Sequence, residues 1–120
     1  MATDLWTLLR QDRRLVRVLR LVSHDMSRRP SLAEAASSAG LETTYFSTYF
    51  RREVGYSFRE WSSRVRVECA RRLLADGRVP VSHVAAAVGY ADVTTFERNF
   101  RKHCGSTPRQ YRQRLRKRAP

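Results

Sequence analysis

A chain of 120 residues has room for one ordinary domain or two very small ones sharing a core, which excludes a large multidomain enzyme. Lys plus Arg number 24 against 11 Asp plus Glu, a formal charge of +13, and such an excess implies a polyanionic partner, nucleic acid or an acidic membrane surface. The 42% of hydrophobic residues can still fill a core, while no apolar run approaches the roughly 20 residues that span a bilayer and no short apolar block follows a basic start, so the expectation is a folded cytoplasmic protein rather than a membrane or secreted one.

Pro30, Gly40, Gly55, Gly77, Pro80, Gly89, Gly105 and Pro108 cut the chain into short pieces in which apolar residues recur every three or four positions. No stretch alternates with period two, so an all-α fold of about seven helices is predicted. Residues 12–26 form the first, with Leu15, Val18, Leu19 and Val22 on one face, preceded by a turn around Leu5 to Leu9 and ended by Pro30. Ser31 and Glu34 make a capping box for a short helix carrying Leu32, Ala35, Ala36 and Ala39, which Gly40 stops. A third helix runs from Thr43 to Val54 and ends at Gly55. Ser57 and Glu60 form a second capping box that opens the longest helix, to about Ala75. After the break from Gly77 to Pro80, Val81 to Val88 is another short Ala-rich helix, and Asp92 caps a helix that ends at Cys104 and Gly105. Thr107, Pro108 and Gln110 supply the N-cap, the first-turn proline and the third-position glutamine of a last helix through about Arg116.

These pieces repeat. Ala36 and Gly40 match Ala85 and Gly89 at an offset of 49, and Phe46, Phe50, Gly55 and Trp61 match Phe96, Phe100, Gly105 and Tyr111 at 50. Each copy is a short Ala-rich helix, a glycine turn, a helix with two Phe at i and i+4, a closing glycine and an aromatic opening the next helix, which is the helix-turn-helix pattern twice over. The predicted organisation is an N-terminal helix-turn-helix subdomain over 1–55, a linking helix over 56–76, and a C-terminal subdomain with a basic tail over 77–120, each subdomain a homeodomain-like three-helix unit.

At about 100° per residue from Phe46, Phe50 and Val54 share the apolar arc with Tyr45 and Tyr49, whereas Ser47, Arg51, Thr44 and Thr48 fall on a second, polar arc. The same positions counted from Phe96 are Glu97, Arg101, Thr94 and Arg98. Short hydroxyls and Arg on the second helix of each motif, in a strongly basic chain, point to major-groove recognition. The candidate DNA-binding residues are Thr43, Thr44, Ser47, Thr48, Arg51 and Arg52 in the first recognition helix, and Thr94, Thr95, Glu97, Arg98, Arg101 and Lys102 in the second. Arg98 suits a bidentate contact to guanine, Arg101 and Lys102 suit phosphates, and Glu97 either pairs with Arg101 four residues on and steers it, the favoured reading, or accepts from a cytosine amino group. A linking helix of roughly 18 residues spans about 27 Å, which with side-chain packing at its ends approaches the roughly 34 Å of one turn of B-DNA. One monomer could therefore occupy two successive major grooves of double-stranded DNA, on a site that need not be palindromic.

Other chemistry finds little support. Cys69 and Cys104 stand far apart without metal-ligand spacing and read as two small buried thiols, and His24, His83 and His103 read as surface or cap residues. There is no nucleophile elbow, phosphate-cradling glycine loop, HExxH motif or pair of carboxylates placed for acid–base work, so neither an enzyme, a metal nor a cofactor is indicated. Only Lys102 and Lys117 among the cations are Lys; Arg suits phosphate and guanine recognition, and a GC-rich coding sequence gives the same bias. The competing functional reading is an architectural basic helical protein that coats nucleic acid with little sequence preference.

The string from Gly89 to Arg112, GYADVTTFERNFRKHCGSTPRQYR, resembles the signature of the AraC/XylS family of bacterial transcription regulators, with its Gly-aromatic turn, acidic cap, Phe-x-Arg-x-Phe-basic-basic core, Gly, Thr-Pro and Tyr-Arg. The resemblance extends upstream through the Ser31 to Ala36 start and the Ala70 to Leu74 stretch, and covers nearly all of residues 12–116. It implies two helix-turn-helix subdomains joined by a long helix, binding promoter DNA and often activating transcription through contact with RNA polymerase. Thr48 stands where the family commonly carries a basic residue, which makes its counterpart Arg98 the stronger base-reading candidate. The family's usual sensing or dimerising domain does not fit in 120 residues, so the chain is either a stand-alone regulator or the DNA-binding part of a longer one.

Overall fold

The computed structural model describes residues 4–118, and the ends of the predicted subdomains beyond them lie outside the described residues. The described chain is helical throughout, with no strand among the described residues. The elements are α1 (Thr7–Arg10), α2 (Arg13–His24), α3 (Leu32–Ser38), α4 (Thr43–Val54), α5 (Phe58–Leu74), α6 (Val81–Ala87), α7 (Val93–Cys104) and α8 (Pro108–Arg118). The eighth element arises because the segment expected as a turn before α2 closes one helical turn, α1, and buries Leu9. α2 stops well short of Pro30. Asp25 turns extended and its carboxylate accepts from the Ser27 N–H at 3.0 Å and the Ser27 hydroxyl at 2.6 Å, a local bond that competes with the next helical turn.

The helices form two compact units, one through Val65 and one from Arg66, so that α5 gives its first half to one core and its second half to the other. In unit 1, α2 contributes Leu15, Val18 and Val22, α3 contributes Ala35 and Ala36, and α4 contributes Phe46, Phe50 and Val54. Phe58 and Trp61 from α5 complete an aromatic cluster in which Phe50 meets both edge-on, with ring centroids 5.6 and 5.7 Å apart, the favourable geometry for ring quadrupoles. The buried Trp61 indole is satisfied by donating to the Leu5 carbonyl at 2.8 Å, which fastens the N-terminal segment to the core.

Unit 2 repeats the plan with Val84 and Ala85 from α6, Phe96 and Phe100 from α7, and Val67, Ala70 and Leu74 from α5. Tyr111 of α8 stands edge-on to Phe100 at 5.6 Å, in the place that Trp61 fills in unit 1. The backbone repeats as well: Leu41 N–H donates to the Ala36 carbonyl at 3.0 Å, and Tyr90 N–H to the Ala85 carbonyl at 2.9 Å, closing the same turn after α3 and after α6. α4 and α7 both end on a glycine in the left-handed region, Gly55 at φ 90° and Gly105 at φ 77°. A side chain there would be strained, which is why the repeat holds glycine at both positions.

The capping boxes form as the sequence suggests at Ser31/Glu34 and Thr107/Gln110, each with both reciprocal bonds at 3.0 to 3.1 Å. The box at Ser57 is half formed: the Ser57 hydroxyl accepts from Glu60 N–H at 3.1 Å, but the Glu60 carboxylate accepts instead from Arg64 Nε at 3.1 Å, one turn on. Both central phenylalanines are fully buried. Phe50→Ala and Phe100→Ala are each expected to cost about 3–5 kcal/mol, seen as a lowered melting temperature with the altered unit losing its amide protection first. Unchanged melting with lost DNA binding would put these rings in the groove instead.

Candidate nucleic-acid interface

Each recognition helix is anchored at its N-terminus by a carboxylate. Glu42 accepts from Thr44 N–H at 2.9 Å and Tyr45 N–H at 3.0 Å, while Asp92 accepts from Thr95 N–H at 2.9 Å and from the Thr95 hydroxyl at 2.7 Å. These bonds hold both carboxyls below the ordinary carboxylate range, Glu42 through the two backbone donors and Asp92 through the Thr95 side chain and then its backbone. The negative charge of each cap is therefore spent on the positive end of its helix. Asp92 was legible as a cap; Glu42 was not, although the offset of 50 that pairs Phe46 with Phe96 also pairs Glu42 with Asp92.

With the phenylalanine sides buried, Thr44, Thr48 and Arg51 of α4 are exposed, and so are their counterparts Thr94, Arg98 and Arg101 of α7. The structure thus gives each unit an accessible polar arc at the same three helix positions. The remaining candidates sort differently. Thr43 and Ser47 are half-buried, and Ser47 lies in a cleft with Pro30, Leu32, Phe58 and Arg59. Arg52 is exposed but turns away from the arc, its guanidinium 5.5 Å over the Tyr49 ring and its Nε 3.4 Å from Glu53. Lys102 is exposed at the matching position of α7. Thr95 is half-buried and its hydroxyl serves the Asp92 cap, so it is a capping residue first.

Glu97 departs from expectation. Among the described residues it forms no ion pair with Arg101; it lines a cleft with Ser82, Arg109, Arg112 and Gln113 instead. Helical spacing brings two side chains within reach, but exposed pairs gain too little to hold two long chains in one geometry. The tyrosines also divide. Tyr45, expected on the apolar arc, is exposed and stacks on Tyr49 at 6.1 Å, whereas Tyr49 packs at the edge of the core and its hydroxyl donates to Asp12 Oδ2. Burial works against the Asp12 charge, yet the Tyr49 hydroxyl and the N–H groups of Leu15 and Arg14 outweigh it and hold the carboxyl below its usual range; the same bond pushes the Tyr49 phenol up.

Several arginines of the basic excess turn out to be structural. Arg66 is fully buried and donates from Nη1 to the Val88 carbonyl at 3.0 Å, at the C-terminal end of α6. Arg112 spans three carbonyls, with Leu74 at 3.0 Å, Asp76 at 3.2 Å and Val79 at 2.5 Å, and so closes the C-terminal end of α5 and the turn after it. Arg71 lies 5.4 Å over the Tyr111 ring. Sequence carried no signal that separates these from phosphate-binding arginines, because each depends on a carbonyl or ring brought near by tertiary packing. Cys69 and Cys104 are half-buried rather than buried, and burial pushes both thiols up, away from the reactive thiolate form. No group of three His, Cys, Asp or Glu among the described residues is placed to hold a metal ion.

Comparison with known proteins places the chain. A helix-turn-helix domain family matches residues 35–114. The regulatory protein PocR of Salmonella typhimurium is 30% identical over 104 residues, 87% of this chain and 34% of that protein. The arabinose operon regulatory protein of Escherichia coli is 32% identical over 81 residues, 68% of this chain and 28% of that protein. The chain thus spans about a third or less of the length of these relatives. The DNA-binding domain of the global transcriptional factor AdpA, solved in complex with a target DNA, superposes with a TM-score of 0.82 at 27% identity, covering 88% of this chain and 95% of that one.

Because Glu42 and Asp92 have lower pKa values folded than their ordinary 4.5 and 3.8, their stabilisation is complete above the unfolded values and is lost as pH falls through the folded ones. The melting temperature should stay level from about pH 7 down to about pH 5 and fall below about pH 4. Asp92→Asn keeps a capping oxygen without the titration, so its melting temperature should fall less on acidification than that of the wild type. An acid limb identical in both proteins removes Asp92 from the account.

Proposed function

The chain belongs to the AraC/XylS family of helix-turn-helix proteins, and from that premise we propose that it is a sequence-specific regulator that lays α4 and α7 in successive major grooves of promoter DNA. The observation that carries this reading is the pair of equivalent exposed arcs, Thr44/Thr48/Arg51 and Thr94/Arg98/Arg101, on two recognition helices capped and terminated alike. The arcs carry different side chains, so the two half-sites differ in sequence and a monomer suffices to read them. Arg98 reads guanine through O6 and N7, Thr44, Thr48 and Thr94 contact thymine methyls or waters, and Arg51, Arg101 and Lys102 hold phosphates. The protein acts on nucleoid DNA in the cytoplasm and activates promoters through contact with RNA polymerase. Charge-driven coating of nucleic acid is the weaker reading, because an undirected basic surface would need neither capped recognition helices nor two arcs held at equivalent positions.

If six to eight cations neutralise phosphates, log K against log salt should have a slope of about −5 to −7. A slope shallower than about −2 sinks the backbone contacts. On a selected site, Arg98→Ala should cost about 1–3 kcal/mol and relax the preference at one base position, while Arg101→Ala weakens specific and random duplexes alike. Glu97→Ala should tighten binding to both, since it removes a negative charge that steers no partner. A uniform loss for Arg98→Ala across single-base variants would make it a phosphate anchor.

A further inference from the structure

Beyond the recognition arcs, α2 carries a concentration of charge of its own. On α2, Arg13, Arg17, Arg20 and His24 recur at i, i+4, i+7 and i+11, and all four are exposed. Taken at about 100° per residue from Val18, they fall between about 200° and 260°, while the buried Leu15, Val18 and Val22 fall between about 0° and 60°. The stripe is thus the face of α2 directly opposite the core. Arg13, Arg17 and Arg20 make no ion pair among the described residues. The acids nearby are already engaged: Asp12 caps α2 and accepts from Tyr49, Asp25 accepts twice from Ser27, and Glu34 accepts from Ser31 N–H. Arg28 and Arg29 follow past the end of the helix, where they line one groove with Arg17, Arg20 and His24, beside Leu21, Pro30 and the engaged acids Asp25 and Glu34.

The stripe does not share a side with the groove-reading arc of its own unit. α4 meets α2 through Tyr49, whose hydroxyl donates to Asp12 at the start of α2 and whose ring lies 5.8 Å under Arg14. On α4, Tyr49 stands at about 300° from Phe46, against about 140° to 200° for Arg51, Thr44 and Thr48. α2 therefore lies on the flank of α4 turned away from the DNA-reading arc, and its own outer face points out of the unit on that side.

We propose that this stripe is a second, sequence-independent binding surface for double-stranded DNA, so that one molecule holds a second duplex segment while its recognition helices hold the first. The inference rests on the reading of α4 and α7 as the primary DNA surface. Charge complementarity identifies the occupant. The stripe runs about 16 Å at 1.5 Å per residue, and one strand of B-DNA presents a phosphate every 3.4 Å or so of axis, so about five phosphates face it. Its arginines offer forked donors that match those oxygens.

The test uses the full chain, a biotinylated duplex of about 25 base pairs on beads and a fluorescent random duplex of the same length, near physiological salt. Wild-type protein should bind a single duplex in solution and also capture the fluorescent duplex on the beads. Arg13→Gln/Arg17→Gln/Arg20→Gln should melt like the wild type, bind a single duplex within about twofold, and lose capture by about tenfold or more. The salt slope of capture should become shallower by about 3 units, at about 0.9 per contact. Failure of the wild type to bind even one duplex defeats the primary reading. Normal single-duplex binding without capture overturns the second surface, and so does capture that the triple variant retains. A triple variant that loses single-duplex binding in step with capture places the stripe on the first duplex and also overturns it. If polyglutamate displaces the second duplex from the wild type at equal charge concentration, the stripe belongs to an acidic polypeptide and the proposal fails.

Discussion

Two phenylalanines one helical turn apart decide how each recognition helix is turned. Phe46 and Phe50 in α4, and Phe96 and Phe100 in α7, are completely buried, and burying an aromatic side chain contributes about 1.5–3 kcal/mol each. Rotating either helix far enough to expose its pair would forfeit several kcal/mol, a large part of what a small domain has. The rotation is therefore fixed by the core, and with it the identity of the residues that face outward. Thr44, Thr48 and Arg51 are accessible because Phe46 and Phe50 are not. The same constraint explains why the polar letters can differ between the repeats while the arcs keep their place. Packing dictates the rotation and leaves the outward residues to be set by what they contact.

Local signals in the sequence account for most of this. Caps, glycine stops and three-four periodicity depend on residues within about one turn of one another, and the matching elements α4 and α7 begin and end where those signals stand. The 49/50 offset brought the two units into view, and the hydrogen bonds from Leu41 to Ala36 and from Tyr90 to Ala85 are its structural counterpart. The site was legible to the same extent: the exposed arc follows from the helical period once the Phe pair is assigned to the core. What stayed hidden depends on distant residues. Nothing near Tyr49 in sequence announces that its hydroxyl will find Asp12, 37 residues away, and that bond separates it from the exposed Tyr45 beside it on the same helix. Glu97 and Arg101 show the opposite failure, since spacing allowed a pair that an exposed position does not reward.

The arginines need the structure most. By composition they are one excess, but they divide into classes with different physics. Arg66 is buried at the C-terminal end of α6, where the helix dipole and the Val88 carbonyl offset part of the cost of taking a charge out of water. Arg112 replaces water on three carbonyls around the end of α5, and truncating it would leave those acceptors short of donors. Neither has a free guanidinium to offer a phosphate. Arg51, Arg98 and Arg101 stand on the arcs, and Arg13, Arg17 and Arg20 stand on the outer face of α2.

This division changes what the net charge means. A charge of +13 spread evenly would attract any polyanion equally from every side, with an interaction that salt screens over about 10 Å. Here the guanidinium groups of Arg66 and Arg112 are taken up by backbone carbonyls yet still contribute to the long-range field, so the field and the exposed cations are separate properties of the same sequence. The acids sharpen the separation. Asp12, Glu42 and Asp92 sit at helix N-termini and Glu34 in a capping box, so most of the identified carboxylates are held by backbone donors rather than by surface cations. Local folding rules thus draw the acids to the helix starts, and the exposed cations of the arcs and of α2 are left with few intramolecular partners.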